Sequence, residues 1–170
     1  SNKYLAVNVN GYFTNWKNKP FPYGVAIPDP NDPLATIYLN INGMDAIHYG
    51  GELDLAYRIN KKITAEAMFS LGDWRWNSSE TFYVPELDYT FTFDAKGVHV
   101  GDAAQTMMNF SLRYEPVKKL YFKVQYQWFD RYYASFNPFY LQGANARREA
   151  WKLPSYGLLS GFAGYSMNIK

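Results

Sequence analysis

The sequence predicts an all-β fold, an antiparallel transmembrane β-barrel fragment of about six long strands, from three observations. Apolar and polar residues alternate with a period of two over six segments, and short and long connections take turns between those segments. The composition is 48% hydrophobic and 19% aromatic, yet the mean hydropathy is -0.38. A period of two puts successive side chains on opposite faces of a pleated strand, whereas an amphipathic helix needs apolar residues every three to four positions. Abundant apolar residues diluted to a negative mean are what strict alternation produces.

In the first segment Leu5, Val7, Val9, Gly11 and Phe13 share one face, and Ala6, Asn8, Asn10, Tyr12 and Thr14 the other. Lys17 to Leu34, with its Pro, Asn and Asp, is expected to be a long loop. Ala35 to Ile59 is expected to be one long strand. Its apolar face runs from Ile37, Leu39 and Ile41 through Ile47, Tyr49, Gly51, Leu53, Leu55 and Tyr57 to Ile59, interrupted only at Gly43 and Asp45. Asn42-Gly43 is by itself a type I′ hairpin signal. A turn there would move the first long loop to the side of the short turns, so a bulge near Gly43 is expected instead.

The short turn Asn60-Lys61-Lys62 leads into Ile63, Ala65, Ala67, Phe69 and Leu71, opposed by Thr64, Glu66, Met68, Ser70 and Gly72. After a long connection, Asn77 to Val100, the fourth segment sets Ala104, Thr106, Met108, Phe110, Leu112 and Tyr114 against Gln105, Met107, Asn109, Ser111 and Arg113. Pro116-Val117-Lys118 turns the chain into Leu120, Phe122, Val124, Tyr126 and Trp128, opposite Tyr121, Lys123, Gln125 and Gln127. Ala134 to Leu153 is the third long connection. The sixth segment has Leu159, Gly161, Ala163, Tyr165 and Met167 against Ser160, Phe162, Gly164, Ser166 and Asn168. Matching faces across the first turn pairs Tyr57 with Ala65 and Leu53 with Phe69; across the second it pairs Tyr114 with Leu120, Leu112 with Phe122 and Phe110 with Val124. A one-residue slip would mix the faces, so register is well specified.

All long connections fall at one end of such a sheet, the layout of short periplasmic turns and long extracellular loops. The second face carries Glu52, Asp54, Arg58, Glu66, Arg113 and Lys123, as a wet lumen would, together with His48. Tyr57 and Tyr114 near the short turns, and Tyr126 and Trp128 near the far end, suit two interfacial aromatic girdles. The alternative is a soluble β-sandwich whose apolar face packs on a second sheet. No run of about 18 apolar residues occurs, so a spanning helix is not expected. A net charge of +2 gives no phosphate-binding surface for nucleic acid, and the lack of cysteine removes disulfides and thiolate chemistry. Six strands do not close so polar a barrel, and open edges in a membrane leave backbone groups unpaired. Further strands are therefore expected from the parent chain or from other copies. Ser1-Asn2-Lys3 does not open a signal peptide, as expected of a piece from inside a longer chain.

The run Asn42-Gly43-Met44-Asp45-Ala46-Ile47-His48-Tyr49-Gly50-Gly51-Glu52-Leu53-Asp54-Leu55 resembles the N-x-G-x-x-x-x-x-G-x-E-L strand of TonB-dependent outer-membrane receptors, with Met44 in place of the first glycine of that pattern. Val100-Gly101-Asp102-Ala103-Ala104-Gln105 followed by Ser111-Leu112-Arg113-Tyr114 is similar to a later barrel strand of Bacteroidota members. Tyr12-Phe13-Thr14-Asn15-Trp16-Lys17-Asn18-Lys19 and Trp151-Lys152-Leu153-Pro154-Ser155-Tyr156 also look like that group. The resemblance covers nearly the whole chain, residues 1–170, and marks architecture more than substrate. It implies a barrel of twenty-two strands in the cell outer membrane, these six lying near but not at its C-terminus. It also implies a plug and a TonB box outside this chain. The implied partners are outer-membrane lipid, the remaining barrel and plug, the TonB complex and a surface-exposed lipoprotein. Family barrels usually end on an aromatic residue, whereas this chain stops at Asn168-Ile169-Lys170, so the last strands are expected to lie beyond it.

Chemistry-bearing clusters are few. His48, Glu52 and Asp54 share a face at metal-ligand spacing, but one imidazole with solvated carboxylates reads as a network of lumen charges, and no metal or other cofactor is expected. His99 stands at a loop end. No nucleophile–base or paired-carboxylate arrangement stands out, so an enzyme is not expected. The long loops hold Trp74, Trp76, Tyr83 and Tyr89, then Tyr132, Tyr133, Phe136, Phe139 and Tyr140, with Arg147 and Arg148 beside them. Aromatic faces next to polar groups suit sugars, peptides or chelates, and loops packed on each other are the plainer reading. The function expected is capture and import of a scarce ligand, a siderophore, glycan or peptide; the alternatives are a passive porin or adhesin, or a soluble binding module.

Overall fold

In the computed structural model, which describes residues 4–19, 25–29, 32–39, 44–85, 88–137 and 140–167, the alternating segments form one six-stranded antiparallel sheet. Its strands are β1 (Tyr4–Lys19), β4 (Met44–Arg58), β5 (Ile63–Trp76), β8 (Ala104–Val117), β9 (Leu120–Tyr132) and β10 (Tyr156–Tyr165), neighbours in that order. The sheet is open, with β1 and β10 at its edges. The long connections hold two further hairpins, β2 (Val25–Asp29) with β3 (Asp32–Leu39), and β6 (Ser79–Val84) with β7 (Tyr89–Asp94).

Two expectations are corrected by these hairpins. The stretch Ala35 to Ile59 is two elements in different sheets: β3 pairs with β2, whereas β4 pairs with β1 and β5. Pairing partners, which sequence alternation does not reveal, separate them. The Asn42-Gly43 signal and the expected bulge lie outside the described residues. The connections Lys17 to Leu34 and Asn77 to Val100 are likewise not bare loops, because each contributes strands to a hairpin.

The first short turn has the expected register, with Tyr57 opposite Ala65 and Leu53 opposite Phe69. Asn60 sets it: its Oδ1 accepts from the amides of Lys62 (2.8 Å) and Ile63 (3.0 Å), the local bond that makes asparagine a turn residue. The second hairpin keeps its faces but is displaced by two residues from expectation, with Leu112 opposite Val124 and Phe110 opposite Tyr126. Lys119 takes a left-handed φ of 74°, closing a tight turn between Val117 and Leu120, and a bulge between Tyr114 and Val117 absorbs the surplus. Tyr126 consequently stands in a central row, its ring reaching over Gly157, and not at the far end.

The registers align side chains into rows across all six strands. Leu5, Tyr57, Ala65, Leu112, Val124 and Gly161 form one; Val7, Leu55, Ala67, Phe110, Tyr126 and Leu159 the next; Val9, Leu53, Phe69, Met108, Trp128 and Gly157 the third. No layer of the described residues covers this face: Leu5 is 62%, Leu112 50%, Val124 56% and Leu159 74% exposed. The reverse face is polar, with rows such as Asn8, Asp54, Met68, Asn109 and Gln127.

The core sits at the long-loop end. Met44 and Ala46 from the start of β4 and Trp76 from the end of β5 are buried with Phe93, Ala95, Val98, Val100, Tyr133, Leu141 and Ala150 from the connections. Two polar side chains fasten it to the sheet. Gln105, fully buried, accepts from the Trp74 amide (2.9 Å) and donates to the carbonyls of Trp74 and Val100 (3.2 Å each), just past Leu71–Thr106, the last β5–β8 pair. Arg131 donates to Thr106 Oγ1 (2.7 Å) and to the carbonyls of Gly72 and Gln105, spanning β9 to β5.

Candidate functional site

Two regions concentrate side chains with recognisable chemistry, the polar face of the sheet and the packed loops at its far end. The strand registers set His48, Glu52, Asp54, Arg58, Glu66 and Arg113 along one face of the sheet. Most are engaged locally. Glu66 accepts from Ser111 Oγ (2.9 Å) and lies 3.2 Å from Lys123 Nζ. Arg113 bonds Glu115 (2.7 Å) and lies over the Tyr121 ring, Asn8 donates to Asp54 (3.4 Å), and Arg58 lies over Tyr4. His48 stacks on Trp74 (5.4 Å between centroids), whose Nε1 donates to the Tyr12 hydroxyl (2.8 Å). Among the described residues no group of three His, Asp or Glu side chains is arranged to hold a metal ion.

The aromatic residues singled out in the loops divide. Trp76 is buried edge-on to Phe136, and Trp74 is half-buried against His48, so both end β5 as packing residues. Tyr83, on β6, is exposed, its hydroxyl donating to Asp88 (2.8 Å). Tyr89, the first residue of β7, pairs with Val84 at the end of β6, its side chain lying outside the described residues, as does all of Phe139. Tyr132 is half-buried opposite Ala104. Arg147 is held by Asp94 (2.7 Å), an ion pair that ties the last loop to the end of β7. Phe136, Tyr140 and Arg148, by contrast, come together around a cavity of about 560 Å³, joined by Asn137, Asn145, Glu149 and Trp151. Tyr140 and Trp151 are 75% and 71% exposed at its rim. The cavity thus offers aromatic faces, two side-chain amides, a guanidinium and a carboxylate, a set that suits a polar ligand carrying some apolar surface.

Behind that cavity lies a latch that sequence reasoning missed. His99, buried, stacks face to face on Tyr133 (4.0 Å, 3°). Its Nδ1 is 2.8 Å from Glu149 Oε2 and its Nε2 3.5 Å from Asp73, while its amide donates to Glu149 Oε1 (3.0 Å). Asp73 also receives Arg75 Nε (2.8 Å) and the Tyr49 hydroxyl (2.8 Å). Fifty positions separate His99 from Glu149, too far for any local pattern. The Trp151-Lys152 run and the Val100–Gln105 run flank it, and the two runs were the available signal.

Burial works to raise the Glu149 carboxyl, but the His99 amide and ring, with the Ala150 amide, outweigh it and hold it below the usual glutamate range. A depressed folded-state pKa contributes stability that is whole above the unfolded value, about 4.3, and is lost as pH falls through the folded value. Acidification through pH 4 should therefore loosen the last loop, read as faster amide exchange at Ala150 and His99 relative to the β4–β5 ladder, with Glu149→Gln removing the difference.

No protein-family model, no curated protein and no solved structure matches this chain.

Proposed function

We propose that this chain is part of an energy-coupled outer-membrane β-barrel transporter, its apolar face toward lipid, its polar face lining an aqueous interior, and its packed loops receiving the ligand. The observation that carries the reading is the apolar rows lying exposed on one face of six long strands in register. From Ile63 to Leu71, β5 presents apolar outward residues over about 26 Å of strand. Tilted by about 40°, such a strand spans most of the apolar band, about 25 Å tall, of a membrane barrel. A water-soluble sandwich would need a second layer over Leu5, Leu112 and Val124, and the described residues supply none. Further strands would pair the β1 and β10 edges. Import, as opposed to passive diffusion, is supported by the family-like runs and by the cavity that gathers Phe136, Tyr140, Arg148 and Trp151.

The full-length protein should resist alkaline extraction from outer membranes and migrate as a faster, folded species on gels without heating. A protein freely released by alkali would refute the barrel. Energy coupling is tested on whole cells offered siderophores, glycans and peptides. Surface capture should persist when the proton gradient is dissipated while uptake stops, and Trp151→Ala with Arg148→Ala should weaken capture by about tenfold or more, two contacts at about 1 kcal/mol each. Uptake indifferent to the gradient would favour a passive pore.

A further inference from the structure

The apolar face is not uniform: it carries a depression near a cluster of lysines that have no carboxylate partner among the described residues. Ala65 and Ala67 on β5 form the floor of a groove of about 720 Å³, walled by Leu55 and Tyr57 on β4 and by Phe110 and Leu112 on β8. Phe69 and Phe110, packed edge to face at 5.3 Å, close it toward the long-loop end. Its lining ends on β5 at Ala65; Ile63 is the next residue on that face, with Lys61 and Lys62 directly before it in the chain, and the Glu115 amide donating to the Lys62 carbonyl (2.7 Å) brings the end of β8, followed by Lys118 and Lys119, alongside. All four lysines are exposed, and among the described residues none lies within 4.0 Å of a carboxylate. The nearby acid, Glu115, is already taken by Arg113 (2.7 Å). At the opposite end of the sheet three cations are paired, Arg75 with Asp73, Lys152 with Asp130 and Arg147 with Asp94.

We propose that this groove and its lysines are a binding site for one anionic phospholipid, an acyl chain lying along Ala65 and Ala67 and the phosphate held by Lys61 and Lys62, with Lys118 and Lys119 adding to the field. The proposal rests on the membrane reading above. Small residues between ridges of Leu, Tyr and Phe admit a chain about one methylene wide where a flat face would only slide past it, and the gain is dispersion contact on both flanks. Free ammonium groups at the membrane–water boundary add an electrostatic preference for negative headgroups. A zwitterionic lipid fills the groove equally well but lacks the second contribution. Charge, and not shape, therefore sets the selectivity.

The test uses the complete protein in phosphatidylcholine vesicles containing a minor fraction of spin-labelled phosphatidylglycerol or, in parallel, spin-labelled phosphatidylcholine. Resistance to alkaline wash is measured first. Immobilised phosphatidylglycerol should exceed immobilised phosphatidylcholine, and Lys61→Gln with Lys62→Gln should reduce that preference about tenfold at low salt. Ala65→Leu with Ala67→Leu should abolish the excess of immobilised phosphatidylglycerol over phosphatidylcholine, leaving the lipid shell around the rest of the apolar face and the protein wash-resistant. Equal retention of the two lipids by the unaltered protein would overturn the proposal, as would an excess of phosphatidylglycerol that survives filling of the groove. Disulfide-linked dimers of an Ala67→Cys variant would show a second copy in the groove and overturn it too. Loss of the protein in the wash would instead sink the membrane reading itself, an outcome read before any lipid is compared.

Discussion

Leu55→Arg is expected to cost about 2–4 kcal/mol of folded stability in a bilayer and to deplete the protein from the outer membrane, because it sets a guanidinium in the central apolar row. Leu55 stands opposite Ala67, the midpoint between Ile63 and Leu71, which the proposed bilayer orientation puts farthest from water in either direction. The long arginine side chain reaches neither boundary without distortion. Gln125→Arg is the control: it adds the same charge to the polar face, in the row of Glu66 and Ser111, and should change stability by less than about 0.5 kcal/mol. Equilibrium refolding into vesicles over a urea gradient measures both. Equal effects of the two substitutions would mean that the faces do not see different solvents.

Gln105→Leu should be nearly as damaging, and for a different reason. The glutamine amide replaces the next rung of the β5–β8 ladder, serving the Trp74 amide and the Val100 carbonyl where the two strands part. Leucine fills the volume but leaves those two backbone groups buried without a partner, at about 1–3 kcal/mol each. A loss of about 2–5 kcal/mol is expected, concentrated at the loop end. Amide exchange at Trp74 and proteolysis within residues 95–103 should accelerate, while the lower ladder from Tyr57 to Ala65 keeps its protection. A change under about 0.5 kcal/mol would show that water takes over these bonds and that the buried amide has no structural role.

The lower part of the sheet was legible because two independent signals agree there. Alternation fixed which face each residue occupies, and Asn60, an unambiguous turn residue, fixed the register of β4 against β5. Where the turn signal was weaker the register slipped by two: Lys119 adopts a left-handed φ without being glycine or asparagine, so nothing in its identity marks it. A displacement of two preserves the faces, and alternation cannot detect it. β6 and β7 escaped notice because six residues each, bounded by Asn and Pro, look like loop, and their stability rests on pairing with one another (Thr81 with Thr92, Phe82 with Phe91). For the loop end, Phe136, Tyr140 and Arg148 were visible by type, and the division between buried Trp76 and exposed Trp151 was not. Burial there depends on which loops fold over which, and the His99–Glu149 contact joins residues fifty apart.

Glycines at the boundary between these two parts have a steric consequence. Gly11 pairs with Gly51 and Gly50 with Gly72, so three adjacent strands lack side chains at neighbouring positions on one level, and the Tyr12 ring lies over the gap on the polar side. Glycine in a strand interior marks a place where another group approaches the backbone closely. This glycine level lies between the wall that bears the long rows and the rim that bears the loops. Its consequence is a slot without side-chain bulk that the Tyr12 ring fills, so that any side chain placed at Gly50 or Gly72 would have to displace that ring.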